Sequence, residues 1–201
     1  MPVVAAPRLP FGGYAAMRQF SVPEYHRMIE TGVLTDEDKV ELLDGYVVLK
    51  MPRNPPHDSS IHKTLKRITR LLPPGWEVRV QAAVTLTGSE PEPDIAAVRQ
   101  DPRDYAAHHS GPAEIGVLVE VADSSLDRDR NEKATIYARA DIPYYWIINL
   151  IDHQVEVYSA PSGPAAAPAY AMRQDYGPGD AVPVVLDGVV IGSIPVQELL
   201  P

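Results

Sequence analysis

Residues Val117 to Leu150 read VLVEVADSSLDRDRNEKATIYARADIPYYWIINL. The opening run, which Ile115 extends upstream, is too apolar for a half-exposed strand and reads as one buried on both faces. The closing run, Tyr144 to Leu150, is aromatic and branched and reads as a second buried strand. Asp129 to Ala140 lies between them and reads as a helix. One residue does not fit this pattern. Glu120 stands among the valines of the first strand, and a buried carboxylate is costly unless a cation or several donors compensate it. Thirteen residues later Lys133 rides on the helix, one turn before Tyr137.

Other elements gather around this unit. Ser21 and Glu24 have capping-box spacing, and Gly32 stops a short helix that begins near Val22. Asp44-Gly45, between VELL and YVVL, marks a tight hairpin. Ile61, Leu65, Ile68 and Leu72 repeat at helical spacing from His57 onward, with Lys63, Lys66, Arg67 and Arg70 on the opposite side. That basic stripe is either a face for a nucleic acid backbone or an ordinary solvated surface. WEVRVQAAVTL and PDIAAV read as strands, and Arg99 to Pro112 as a polar loop. QVEVYSA pairs with the preceding strand through a turn at Asp152-His153. APSGPAAAPA reads as a low-complexity loop. Short strands flank a second hairpin turn at Asp187-Gly188. The expectation is a mixed α/β domain: a central mixed sheet flanked by helices, with additional hairpins, over residues 20–201. Residues 1–19, rich in Pro and Gly, are expected to form a flexible arm without the pattern of a signal peptide.

The chain has 201 residues, 45% hydrophobic and 22% charged, which suits one globular domain. It has no cysteine, so disulfides and thiolate metal sites are excluded. No apolar run is long enough to span a bilayer, and a cytoplasmic location is expected. A net charge of −9 disfavours strong non-specific binding to nucleic acid through the whole surface. It suits a site that collects divalent cations.

Asp94 follows Pro93 at the start of one strand, Glu120 is near the end of another, and Glu41 is in the first strand of the early hairpin. Two acids on neighbouring strands suit a hard cation such as Mg²⁺, which takes one or two carboxylates plus water and phosphate oxygens. A lysine beside them can neutralise charge in a phosphoryl transition state. Each residue also has a plainer reading. Asp94 can cap a turn after proline, and Glu120 can pair with Arg128, Arg130 or Lys133. Lys133 can be a solvated helix residue, and Glu41 a strand-edge charge.

The combination PEPD, VLVEV and EKATIYARADIPYYWII resembles the Uma2 family of the PD-(D/E)XK nuclease superfamily, from about Phe20 to the C-terminus. The resemblance implies a restriction-endonuclease-like fold and a metal-dependent endonuclease. Pro93-Asp94 resembles the family's PD, and Glu120 its second acid. Ala122 stands where the superfamily's usual lysine would be, so Lys133 on the next helix resembles the displaced lysine, and Glu41 the additional early acid. Two departures follow the second acid: Asp123-Ser124 replaces the usual Ser-Pro, and Asp141 stands where the helix usually ends in glycine.

The resemblance thus implies Mg²⁺, with Mn²⁺ able to substitute, held by Asp94, Glu120, the Val121 carbonyl and Glu41. Catalysis would fall to Glu41, Asp94, Glu120 and Lys133. His57, Gln81 and Tyr137 are expected to touch substrate or support these groups. The expected partners are nucleic acid, DNA first, and a second copy of the chain in a homodimer. Two competing readings are a catalytically silent nuclease-fold module that binds nucleic acid or another partner, and a hydrolase acting on some other phosphoester.

Overall fold

The computed structural model describes residues 17–201, so most of the expected N-terminal arm lies outside the described residues. Six strands form the main sheet in the order β3–β4–β5–β6–β7–β8. They are β3 (Trp76–Val80), β4 (Ile95–Arg99), β5 (Ile115–Ala122), β6 (Tyr144–Asn149), β7 (Gln154–Pro161) and β8 (Tyr170–Tyr176). β5 and β6 run parallel and the other neighbours antiparallel. A parallel pair needs a long crossover, and the stretch between Val121 and Tyr144 supplies it. Two hairpins stand apart from the main sheet: β1 (Val40–Leu43) with β2 (Tyr46–Leu49), and β9 (Ala181–Leu186) with β10 (Val189–Pro195). Both turn on an Asp-Gly pair with positive φ at both residues, as a tight two-residue hairpin requires.

Strand β5 divides the core in two. Val117, Val119 and Val121 face a layer formed by α2 (Pro55–Leu71), the β9–β10 hairpin and the C-terminal segment. Leu118 and Ala122 face the crossover helix, where Ile136, Tyr137 and Ile142 pack on Tyr145 and Ile147. Glu120 has the same parity as Leu118 and Ala122, so the pleat points it toward that helix. Gly116 is required by close packing: a Cβ there would lie 2.5 Å from Leu186 and 2.7 Å from the Trp76 ring.

The crossover begins earlier than the sequence suggests. It is helical from Leu126 to Arg139, as α3 (Leu126–Arg128), a π turn (Asp129–Lys133) and α4 (Ala134–Arg139). In a straight α-helix, residues eight apart drift about 80° around the axis. The wider π turn absorbs most of that drift, so Asp129, Lys133 and Tyr137 all point inward and are buried. The Asn131 side chain donates to the Asp127 carbonyl at 2.8 Å, replacing a backbone bond of a regular turn. The helix ends as the departure at Asp141 requires, with that residue left-handed at φ +61°.

Three local expectations are corrected. The strand starting at Trp76 stops at Val80, because Gln81 turns left-handed at φ +51°; Gln81 therefore sits at a strand end and not within a core strand. The low-complexity loop is shorter than expected, because β7 runs through Pro161. Strand β8 was not expected: it is a mostly exposed edge, so no buried alternation marks it in the sequence.

Candidate active site

Several elements end at one cavity of about 80 Å³, lined by Glu41, His57, Gln81, Asp94, Glu120, Val121, Asp129 and Lys133 among others. The β1–β2 hairpin carries Glu41. It docks through a two-way backbone bridge between Leu42 and Glu90, which lets Glu41 Oε2 accept from the Glu92 N–H at 3.1 Å. Asp94 lies just before β4. Beyond the Ile95–Val119 pairing the edge of β5 has no strand partner on that side, and Asp94 Oδ2 takes the ladder's place by accepting from the Val121 N–H at 2.9 Å. The N–H and C=O of one extended residue project to the same edge, so the Val121 carbonyl faces the cavity as well.

Lys133 closes the arrangement from the crossover helix. Its Nζ lies 2.8 Å from Glu120 Oε1 and 3.4 Å from Glu41 Oε2. Tyr137 donates its hydroxyl to the same Glu120 oxygen at 2.8 Å. The plainer reading of Lys133 as a solvated helix residue is wrong, since it is 6% exposed. Of the three cations weighed as partners for Glu120, Lys133 alone reaches it. Arg130 binds Glu156 on β7, and Arg128 donates to the Leu49 carbonyl. His57, in the first turn of α2, brings Nε2 to 3.3 Å from Asp94 Oδ2, and its buried Nδ1 has no hydrogen-bond partner among the described residues, with Asp58 Oδ1 3.9 Å away.

The charges do not balance. Glu41, Asp94, Glu120 and Asp129 all line the cavity with Lys133 as the one buried ammonium. Burial, helped by Asp129, Asp94 and Glu41, pushes the Glu120 carboxyl well above the usual range against the pull of Lys133. Asp129 is pushed up to about 6, again mainly by burial. Burial opposes the Lys133 ammonium, but Glu120, Glu41 and Asp129 outweigh it and raise its pKa, so it stays protonated. His57 is also raised, because its hydrogen bond to Asp94 and the Asp94 charge outweigh burial.

Each of three carboxylates has one oxygen committed and one free. Among the described residues, no hydrogen bond reaches Asp94 Oδ1, Glu120 Oε2 or Glu41 Oε1. This donor set, all oxygen with a backbone carbonyl beside it, fits a hard divalent cation. Among the described residues, no three His, Asp or Glu side chains are already grouped tightly enough to hold an ion, so binding would draw these carboxylates together.

The family model described as "Uma2: Putative restriction endonuclease" matches residues 22–190. The chain belongs to the Uma2 family. A crystal structure from Anabaena variabilis ATCC 29413, described as a "putative nuclease belonging to DUF820", resembles the chain with a TM-score of 0.69 over 90% of this chain and 97% of that one. At 14% identity that likeness establishes the fold, a mixed sheet with flanking helices and hairpins. No curated protein matches the chain. Among the described residues no helix is long and apolar enough to cross a membrane.

All of the expected site residues except Tyr137 line the cavity, and Tyr137 donates its hydroxyl to Glu120. Sequence reasoning missed Asp129, whose Oδ2 accepts from Ser125 at 2.6 Å, and the cations Lys50 and Arg53, and it weighed Arg128 only as a partner for Glu120. The i, i+4, i+8 spacing of Asp129, Lys133 and Tyr137 was the available signal for the first. The three cations lie on loops and a helix end, where no periodicity marks them.

Proposed function

We propose that this Uma2-family protein is a divalent-metal-dependent endonuclease that hydrolyses phosphodiester bonds in DNA. One observation carries the reading: buried carboxylates from the hairpin, β4 and β5 converge on a single cavity, each with an uncommitted oxygen, and one ammonium lies among them. Asp94, Glu120 and the Val121 carbonyl would hold Mg²⁺ or Mn²⁺, with Glu41 near enough to bind directly or through water. When bound, the ion supplies a Lewis acid for the phosphoryl oxygen and lowers the pKa of the attacking water. Lys133 offers a fixed positive charge for the phosphate oxygens as negative charge builds on them. Tyr137 holds Glu120 in place, Gln81 fixes the turn into Asp94 through its backbone N–H bond to the Asp94 carbonyl, and His57 steadies the Asp94 carboxylate. A homodimer in the cytoplasm would give two such sites for the two strands of a duplex.

A second reading has its own support. Glu120 already has an ammonium and a phenol on one oxygen, so Lys133 can serve as a permanent counter-ion in a catalytically silent module. Calorimetric titration with Mg²⁺ and Mn²⁺, followed by incubation with plasmid, single-stranded DNA and RNA, separates the two. Ion binding that depends on Asp94 together with metal-dependent DNA cleavage supports the nuclease. Ion binding without cleavage of any nucleic acid, or no binding, supports the silent module. Sedimentation velocity tests the homodimer.

A further inference from the structure

The acid floor repels a polyanion, and the chain as a whole carries a charge of −9, so a nucleic acid needs local cations to approach. The sequence offered the α2 stripe for this. In the structure none of the four lines the cavity, and two are engaged elsewhere: Lys63 donates to the Leu200 carbonyl, and Arg67 pairs with Glu198 at 3.0 Å. A different set of cations lines the cavity itself. Lys50 and Arg53 flank Met51 and Pro52 on the connection from β2 to α2, and Arg128 ends α3 on the facing element. Two clasps tie the connection to the β5–α3 region: Arg128 Nη1 donates to the Leu49 carbonyl at 2.8 Å, and Asn54 Nδ2 donates to Asp123 Oδ2 at 2.7 Å. Arg53 is exposed with no ion pair among the described residues, and the Lys50 ammonium rests on half-buried Glu92.

We propose that Lys50, Arg53 and Arg128 form a phosphate-gripping rim, which holds backbone phosphates flanking the one that lies over the floor. This rests on the cavity being a phosphodiester site. Cationic side chains that hold phosphates carry no sequence information, so the rim's contribution is electrostatic and independent of sequence. The partner it fits is an internal stretch of a polynucleotide and not a mononucleotide, because its charges lie around the floor instead of on it.

The test is fluorescence anisotropy with a short labelled oligonucleotide, single-stranded and as a duplex, in EDTA so that no cleavage intervenes. Lys50→Gln/Arg53→Gln should weaken binding at least about tenfold at low salt. It should also reduce the slope of log affinity against log salt by about 1.4 for the single strand and about 1.8 for the duplex. Lys66→Gln/Arg70→Gln removes the same charge from the exposed part of the α2 stripe and should leave affinity within about twofold. Arg128→Gln, checked for an unchanged melting temperature, should reduce the slope by about 0.7 to 0.9. Equal losses in the two double variants, an unchanged slope for Lys50→Gln/Arg53→Gln, or no binding by the wild-type chain would overturn the rim. Rim-dependent binding without cleavage in Mg²⁺ or Mn²⁺ would leave the rim standing and remove the hydrolytic reading instead.

Discussion

Lys133 Nζ and Glu120 Oε1 lie 2.8 Å apart, and both residues are buried between the sheet and its crossover helix. Lysine repels a metal ion and is not one of its ligands. Lys133→Ala should therefore lower turnover by about 10²-fold or more, the scale of one lost contact to a developing oxyanion. Mn²⁺ affinity should stay equal to wild type or rise. Lys133→Arg should rescue only in part, because a planar fork places its charge differently. Single-turnover rates and calorimetry on the same preparations check both halves, and a Lys133→Ala variant that cleaves at the wild-type rate would refute the assignment.

Asp94→Asn removes charge but keeps an oxygen that can accept from the Val121 N–H. The melting temperature should hold within a few degrees while Mn²⁺ affinity falls at least about tenfold. Differential scanning calorimetry and titration measure the two effects separately. Unchanged affinity would count against Asp94 as a ligand.

Tyr137→Phe leaves Glu120 with Lys133 as its sole donor in a fully buried setting. The loss of that bond should cost about 1 to 3 kcal/mol in urea denaturation. Turnover should fall less than for Lys133→Ala, since the hydroxyl supports Glu120 from the side away from the cavity. A Tyr137→Phe variant as stable as wild type would show that the ring packs without orienting Glu120.

Glu156 predicts an acid-sensitive anchor outside the cavity. Burial would raise its pKa, but hydrogen bonds from Arg130, Asn149 and Tyr158 and the charge of Arg173 outweigh it and hold the carboxyl down at about 2. Its folded value lies below the ordinary 4.5, so its contribution is complete above about 4.5 and fades as pH falls toward about 2. Glu156→Gln should cost about 2 kcal/mol at neutral pH and flatten the decline in stability over that acid window. Thermal melts from pH 7 downward measure it; parallel curves for variant and wild type would contradict the prediction.

The sequence made the frame of the site legible because burial leaves a signature. A carboxylate among valines could be recognised at Glu120, and hairpin turns at Asp44-Gly45 and Asp187-Gly188 announce their own backbone geometry. What stayed hidden was set by tertiary contact. Arg130 was open to pairing with Glu120 until the fold placed Glu156 of β7 beside it. Glu41 reaches the cavity because Leu42 bridges Glu90, a contact that no local pattern encodes. The exposed edge β8 carries no buried alternation to read. Asp129 was visible only to a reader who allowed the helix to be underwound.

That underwinding has a historical reading. A π turn is what one inserted residue leaves in an α-helix that neighbouring packing will not let unwind elsewhere. Without the insertion, Asp129, Lys133 and Tyr137 would fall at i, i+3 and i+7, the ordinary seam of a packed helix. Loss of the single codon for exposed Asn131 would restore a regular helix and keep the acid and the phenol nearly in line. Lys133 would then stand at i+3, about 60° around the axis from the acid. One codon thus sets how closely the ammonium lines up with the acid and the phenol at the end of β5.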